Sequence, residues 1–148
     1  MKGDITLKLY KKLEYLSYRF RYEATYLEMK YHLQRLIKGK ENSFIKKIGH
    51  YDRNIGKSCA LARLSVKYDI PVVVPTHACS NFYKYDIPRY IPKYFKTRLP
   101  QTIVANEYSR GKRFDYILIE ECIPDDIMNS IIKPMVKKGM VGYRNVEV

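Results

Sequence analysis

The 148-residue sequence predicts an α/β fold: a long N-terminal amphipathic helix, then a small three-layer sandwich built on a mostly parallel sheet of four or five strands. Three observations predict it. Short apolar runs such as Val72-Val73-Val74 and Tyr116-Ile117-Leu118-Ile119 lack the polar alternation of a half-solvated strand, so they read as strands covered on both faces. Segments of helical composition lie between such runs, as crossovers between parallel strands require. Ahead of them all, helical spacing continues without a break through most of the first forty residues.

In that first segment Leu9, Leu13, Leu16, Phe20, Ala24, Leu27 and Tyr31 step by fours and threes. This spacing draws one apolar stripe along a helix of roughly 30 residues, about 45 Å long, with Gly39 as its stop. Residues 1–40 are thus expected to form a long basic helix and residues 41–148 the rest of one compact unit. The stripe is expected to pack on its own domain; contact with a second subunit is the other arrangement. Phe44 to Tyr51 reads as a short strand. Ser58 to Tyr68 reads as a helix with Leu61, Leu64, Ser65 and Tyr68 on one side, ended by Asp69-Ile70-Pro71 because the residue before a proline disfavours helical geometry. The Val72–Val74 strand follows, and Thr102 to Ala105 adds another. Phe114 to Glu121 is an apolar strand ending in two acids. Pro124 to Lys133 opens like a helix, with acids in its first turn and Lys137, Lys138 and Gly139 at its end. Met140 to Tyr143 reads as a final strand.

The chemistry concentrates in Arg53-Asn54-Ile55-Gly56-Lys57-Ser58-Cys59. Gly-Lys-Ser entering a helix is the end of the phosphate-loop pattern G-x-x-x-x-G-K-[ST], although Tyr51 stands where the full pattern has its first glycine. In such a loop the glycine lets backbone N–H groups curl round a β-phosphate, Lys57 reaches the β and γ oxygens, and the Ser58 hydroxyl ligates Mg²⁺ at the positive end of the helix. Asn54, Ile55, Gly56, Lys57, Ser58 and Cys59 are therefore the candidate nucleotide-binding residues. A second motif agrees with the first. An acid at the end of an apolar strand completes such a site, and Glu120 is assigned the metal while Glu121 orients the attacking water.

On Arg53 to Ser58, Val72-Val73-Val74-Pro75-Thr76, Ser109-Arg110-Gly111 and Phe114 to Glu121, the chain resembles P-loop NTPases of the additional-strand, catalytic-glutamate division. More narrowly, it resembles the ATPase half of phage terminase large subunits. The resemblance covers residues 44 to 146. It implies ATP and Mg²⁺ as cofactors, Arg53 stabilising charge on the γ-phosphate, Asn145 as a γ-phosphate sensor, and a homo-oligomeric assembly. Where the family has Asp-Glu, this chain has Glu120-Glu121. No segment corresponds to a terminase nuclease domain, so DNA cleavage is not expected.

Charge points to the partner. Lys and Arg number 28 against 15 acids, a net +13, with 10 basic and 4 acidic residues in 1–40 and 8 against 2 in 79–114. Such an excess attracts a polyanion, so nucleic acid, DNA in particular, is the expected partner. Residues 80–100 interleave Lys84, Arg89, Lys93, Lys96 and Arg98 with Phe82, Tyr83, Tyr85, Tyr90, Tyr94 and Phe95. Cations meeting phosphates and rings stacking on bases would make this a nucleic-acid contact; rings turned inward would make it a cover for one sheet face. Arg63, Arg110 and Arg113 read as solvated or nucleic-acid-facing cations.

No run of 18 or more apolar residues and no secretory leader occurs, so a soluble, cytoplasmic protein without a membrane contact is expected. Cys59, Cys79 and Cys122 are odd in number and lack paired metal spacing, which suits reduced thiols; Cys59 and Cys122 read as small packing residues. His50, His77 and Cys79 fall short of the four ligands of a closed zinc site. Three function classes follow: a nucleic-acid-dependent ATPase, a small-molecule or nucleoside kinase with residues 80–100 as its lid, and a nucleic-acid-binding protein on a degenerate P-loop scaffold.

Overall fold

The computed structural model describes residues 2–49 and 56–145, with side chains from residue 4 onward. Helix α1, Lys2–Ile37, has 36 residues, about 54 Å at 1.5 Å per residue. It closes with the N–H groups of Gly39 and Lys40 returning to the carbonyls of Leu36 and Arg35, at 3.0 and 2.9 Å, which satisfies the last carbonyls of the helix.

The buried face of α1 is not the one its spacing suggested. Tyr26, Met29, Leu33 and Leu36 enter the core, whereas Leu9, Leu13, Phe20, Leu27 and Tyr31 remain exposed. Apolar residues are spread around most of this helix, so more than one stripe can be drawn along it. Contact with the sheet, rather than periodicity, selects the stripe that turns inward.

Five strands follow: β1 (Phe44–Ile48), β2 (Val72–Val74), β3 (Thr102–Val104), β4 (Phe114–Ile119) and β5 (Val136–Asn145). They form one sheet in the order β1-β5-β4-β2-β3, and every neighbouring pair is parallel. Helix α2 (Lys57–Tyr68) connects β1 to β2. Between β2 and β3, α3 (His77–Asn81) and α4 (Ile87–Tyr90) are joined by a π-helical turn, Phe82–Asp86. A second such turn, Met128–Ile132, joins α5 (Asp125–Ile127) to α6 (Lys133–Met135). Each π turn lies just ahead of a proline, Pro88 or Pro134. Widening the turn relieves the clash between the proline ring and the carbonyl four residues back.

Strand β5 begins at Val136, so Lys137, Lys138 and Gly139 lie in a strand rather than at a helix end. Pairing explains the difference, because Phe114 faces Val136 and Tyr116 faces Gly139 across the β4–β5 ladder. At Gly142 a side chain would be intolerable: a Cβ would lie 2.2 Å from the Ile119 carbonyl oxygen, so only glycine permits this approach of β5 to β4.

Helices cover both faces of the sheet. On one, Met29 and Leu33 of α1, Leu61 and Leu64 of α2 and Tyr83 pack over Val72, Val74, Leu118 and Val141. On the other, Ile131, Ile132 and Met135 pack over Val73, Ile117 and Ile119. Successive strand residues thus serve opposite cores, which is why β2 and β4 read as unbroken apolar runs. The α2 stripe is as its spacing indicates, with Leu61, Leu64 and Ser65 buried.

Candidate functional site

The site is assembled at the carboxyl ends of the strands. One strand, β5, separates β1 from β4 in the sheet, and its register opposes Asn145 to Ile48 and Gly142 to Ile119. The residues that follow β1 and β4 are thereby delivered to one edge of the sheet, where ligands of open parallel sheets bind. Of the candidate loop residues, Arg53, Asn54 and Ile55 lie outside the described residues, as do His50 and Tyr51. Gly56 opens α2 with φ 82° and ψ 27°, a left-handed conformation suited to glycine, and no side chain caps the helix. Its first-turn N–H groups have no intrahelical acceptor. The ring of Tyr22, from α1, lies against Gly56, 2.8 Å from where a Cβ would stand.

Lys57 is the first residue of α2 and only 8% exposed. Beside it, the Ser58 hydroxyl donates to Glu120 Oε2 at 3.1 Å, bridging positions 62 residues apart. Glu120 lies just past β4 and is 5% exposed. Its backbone is fixed by an N–H bond to the Val73 carbonyl at 3.0 Å, and the Glu121 N–H reaches Glu120 Oε1 at 3.3 Å. Asn145 in turn donates its N–H to the Glu121 carbonyl at 3.3 Å. Burial raises the Glu120 carboxyl above the ordinary glutamate range, against the lowering effect of bonds from Tyr83, the Glu121 N–H and Ser58.

Tyr83 takes the inward of the two arrangements open to the rings of its segment. Its hydroxyl donates to Glu120 Oε2, and the side chain is fully buried. Burial first, then the Glu120 charge, pushes its phenol well above the usual range. A legible signal existed: Ser80, Tyr83 and Ile87 are all buried and fall at the i, i+3, i+7 spacing of an inward helical stripe. The basic aromatic segment therefore divides, with Tyr83 and Phe95 inside and Phe82, Tyr85 and Tyr90 exposed. Of its cations, Lys84 is half-buried; Arg89, Lys93 and Lys96 are exposed. Lys93 lies 4.9 Å from the Tyr94 ring centroid and Arg98 pairs with Asp69 at 3.3 Å.

Arg63, Arg110 and Arg113, read from the sequence as solvated or nucleic-acid-facing cations, are also tied down. Arg63 is held between the rings of Tyr26 and Tyr94, at 3.5 and 3.9 Å, and pairs with Glu23 at 2.9 Å. Arg110 pairs with Glu107 at 2.8 Å, and Arg113 donates to the Pro134 carbonyl. Near the site, burial and the neighbouring Glu120 push the Cys79 thiol up to about 12. Cys122 is exposed, not a packing residue; its thiol is raised by burial, then by Glu121 and Glu120, with Lys57 acting in the opposite direction. His77 is exposed at the start of α3, and the Thr76 hydroxyl caps that helix by accepting from the Cys79 N–H at 3.1 Å. Lys57, Glu120, Glu121, Cys79 and Cys122 thus share one electrostatic neighbourhood.

Outside Glu121, Asp125 and Arg144 line a cleft of about 580 Å³ with Lys47, Cys122 and Asn145. Among the described residues no group of three or more His, Cys, Asp or Glu side chains could hold a metal ion, and no helix is long and apolar enough to cross a membrane. No protein-family model, curated protein or solved structure matches this chain.

Proposed function

We propose that the protein is a P-loop ATPase that works with Mg²⁺, with nucleic acid as its macromolecular partner and a homo-oligomer as its working form. The observation that carries the reading is the 3.1 Å approach of the Ser58 hydroxyl to the Glu120 carboxylate. Two hard oxygen donors side by side are the ligand type that a small divalent cation such as Mg²⁺ takes. Ser58 and Glu120 would hold the ion, which when bound supplies charge neutralisation to the β and γ phosphate oxygens. Lys57 binds the same oxygens. Glu121 orients a water and takes its proton as the water oxygen bonds to the γ-phosphorus and the bond to the β,γ-bridging oxygen breaks, leaving nucleoside diphosphate and phosphate. The net +13 charge supports the polyanion partner. The narrower assignment to a DNA-packaging motor rests on motif resemblance alone.

A second reading is favoured by one observation: Glu120 is already satisfied by Ser58, Tyr83 and the Glu121 N–H. A nucleic-acid-binding protein on a P-loop scaffold, without turnover, would have such a closed carboxylate. Phosphate release by wild type and Lys57→Ala, with and without DNA, RNA or a nucleoside panel, separates the readings. The ATPase predicts nucleic-acid-stimulated release that falls on the order of 10²-fold or more in the variant, as when a preorganised charge-stabilising group is lost. Salt-sensitive DNA binding with no release from either protein would overturn it in favour of the scaffold, and ATP loss dependent on a nucleoside acceptor would make the protein a kinase.

A further inference from the structure

We propose that the groove between α1, the first turn of α2 and residues 91–94 holds the nucleobase of the triphosphate. This rests on the phosphate-site reading above and extends it to the part of the ligand that the phosphate loop cannot recognise. The groove has a volume of about 400 Å³, and Tyr18, Tyr22 and Tyr94 are in its wall together with Arg19, Cys59 and Ala60. That is within the range of pockets for small ligands, and rings with a few polar groups are the usual lining of such sites.

Its position decides the occupant. Cys59 and Ala60 follow Ser58 directly in α2, so the groove begins within about 3 Å of helix rise from the turn assigned to the phosphates. Tyr22 joins the two places, because its ring lies against Gly56 and also lines the groove. One nucleotide could therefore span both, with its sugar between them. An aromatic wall suits a base, since every base presents a face that stacks on a tyrosine ring.

The far wall is pre-organised. Arg63 is clamped between Tyr26 and Tyr94, and Glu23 accepts from Arg63 at 2.9 Å and from the Tyr94 hydroxyl at 3.4 Å. These contacts hold the Tyr94 ring in place and neutralise the carboxylate that would otherwise repel a polyphosphate. Arg19 and Lys93, also in the lining, leave the groove net positive. A wall already ordered loses little side-chain freedom when a ligand enters.

Calorimetric titration of the full chain with ATP, inorganic tripolyphosphate and a single-stranded oligonucleotide tests the assignment, using wild type, Tyr18→Ala and Tyr22→Leu. Tyr18 is 47% exposed on α1, so its truncation leaves folding intact. The wild type is expected to bind ATP more tightly than tripolyphosphate. Each variant is expected to weaken ATP about tenfold, the scale of one lost base–ring stack, while tripolyphosphate stays within about twofold. Unchanged ATP affinity in Tyr18→Ala overturns the proposal, and so does a parallel fall for ATP and tripolyphosphate. Loss of oligonucleotide affinity with ATP untouched would make the groove a strand-binding channel instead. Wild-type protein that binds tripolyphosphate while the variants keep full ATP affinity refutes the base pocket alone; wild-type protein that binds neither ligand refutes the phosphate site itself.

Discussion

The carboxyl edge of the sheet and the N-terminal half of α1 meet the same physical demands in opposite ways. At the sheet edge a carboxylate is buried with partners around it: Glu120 takes bonds from Ser58, Tyr83 and a backbone N–H while 5% exposed. On the projecting half of α1, apolar side chains face outward, with Leu9 at 57%, Leu13 at 56% and Phe20 at 74% exposure. The first region specifies a unique arrangement, because a buried carboxylate that loses a donor costs free energy at once. The second specifies little within one chain, since an exposed leucine loses almost nothing when its neighbours shift.

The largest effect that sharpens this contrast compares two leucines on one helix. Leu33→Ala removes a fully buried side chain from among α1, α2 and the sheet, and is expected to cost about 2–5 kcal/mol of unfolding free energy. Leu13→Ala is expected to stay within about 0.5 kcal/mol. Urea denaturation of both variants reads the difference directly. A Leu13→Ala cost approaching that of Leu33→Ala, falling with dilution, would mean that the outer stripe is buried in solution against a second chain, and the contrast between the regions would disappear.

The same contrast explains which features were legible in the sequence. The sheet was, because its central strands serve two cores and so are apolar at every position, a pattern independent of context. The convergence of Ser58 and Glu120 was also legible, since a helix start and a strand end carry local signals that parallel topology brings to one edge. The inward face of α1 was not, because a helix apolar on several sides offers several stripes and only tertiary contact chooses among them. Which rings of residues 80–100 turn inward, Tyr83 among them, stays open in the sequence for a related reason. The chemistry of Tyr83 was read from composition, as one ring among six in a basic segment, whereas its position is set by the helical phase it shares with Ser80 and Ile87. The start of β5 was hidden because Lys137 and Lys138 suit a helix end, and only pairing with β4 extends the strand over them.

A smaller effect tests whether the closed arrangement at the sheet edge is structural. Tyr83→Phe keeps the buried ring but removes the donor to Glu120 Oε2. Hydrogen bonds to a charged group are worth about 1.5–3 kcal/mol, so a loss near the lower end is expected, Ser58 remaining on the same oxygen. Thermal and urea unfolding of Tyr83→Phe beside Ser58→Ala and the double variant would reveal the coupling. If the double variant loses the sum of the singles, the two hydroxyls act independently and the network is not a unit; a departure from the sum in either direction measures their coupling.

The smallest effect is distinguished by its sign. Burial raises the folded Glu120 carboxyl above the ordinary glutamate range, so between the unfolded and folded titrations the native state holds the proton more firmly than the unfolded chain. Stability from this group is then full below the unfolded value, falls as pH rises through the window, and stays reduced above the folded value. Glu41 and Glu107 carry lowered carboxyls from their partners His32 and Arg110 and act in the opposite direction, but they are common to wild type and variant and cancel in a difference. Glu120→Gln removes the charge that burial penalises while keeping an oxygen for Ser58 and Tyr83. The stability of Glu120→Gln relative to wild type is therefore expected to rise as pH increases above the ordinary glutamate range. A difference that is flat or falls with that increase would mean that the carboxylate is held as a stabilised anion, with its three donors outweighing its burial.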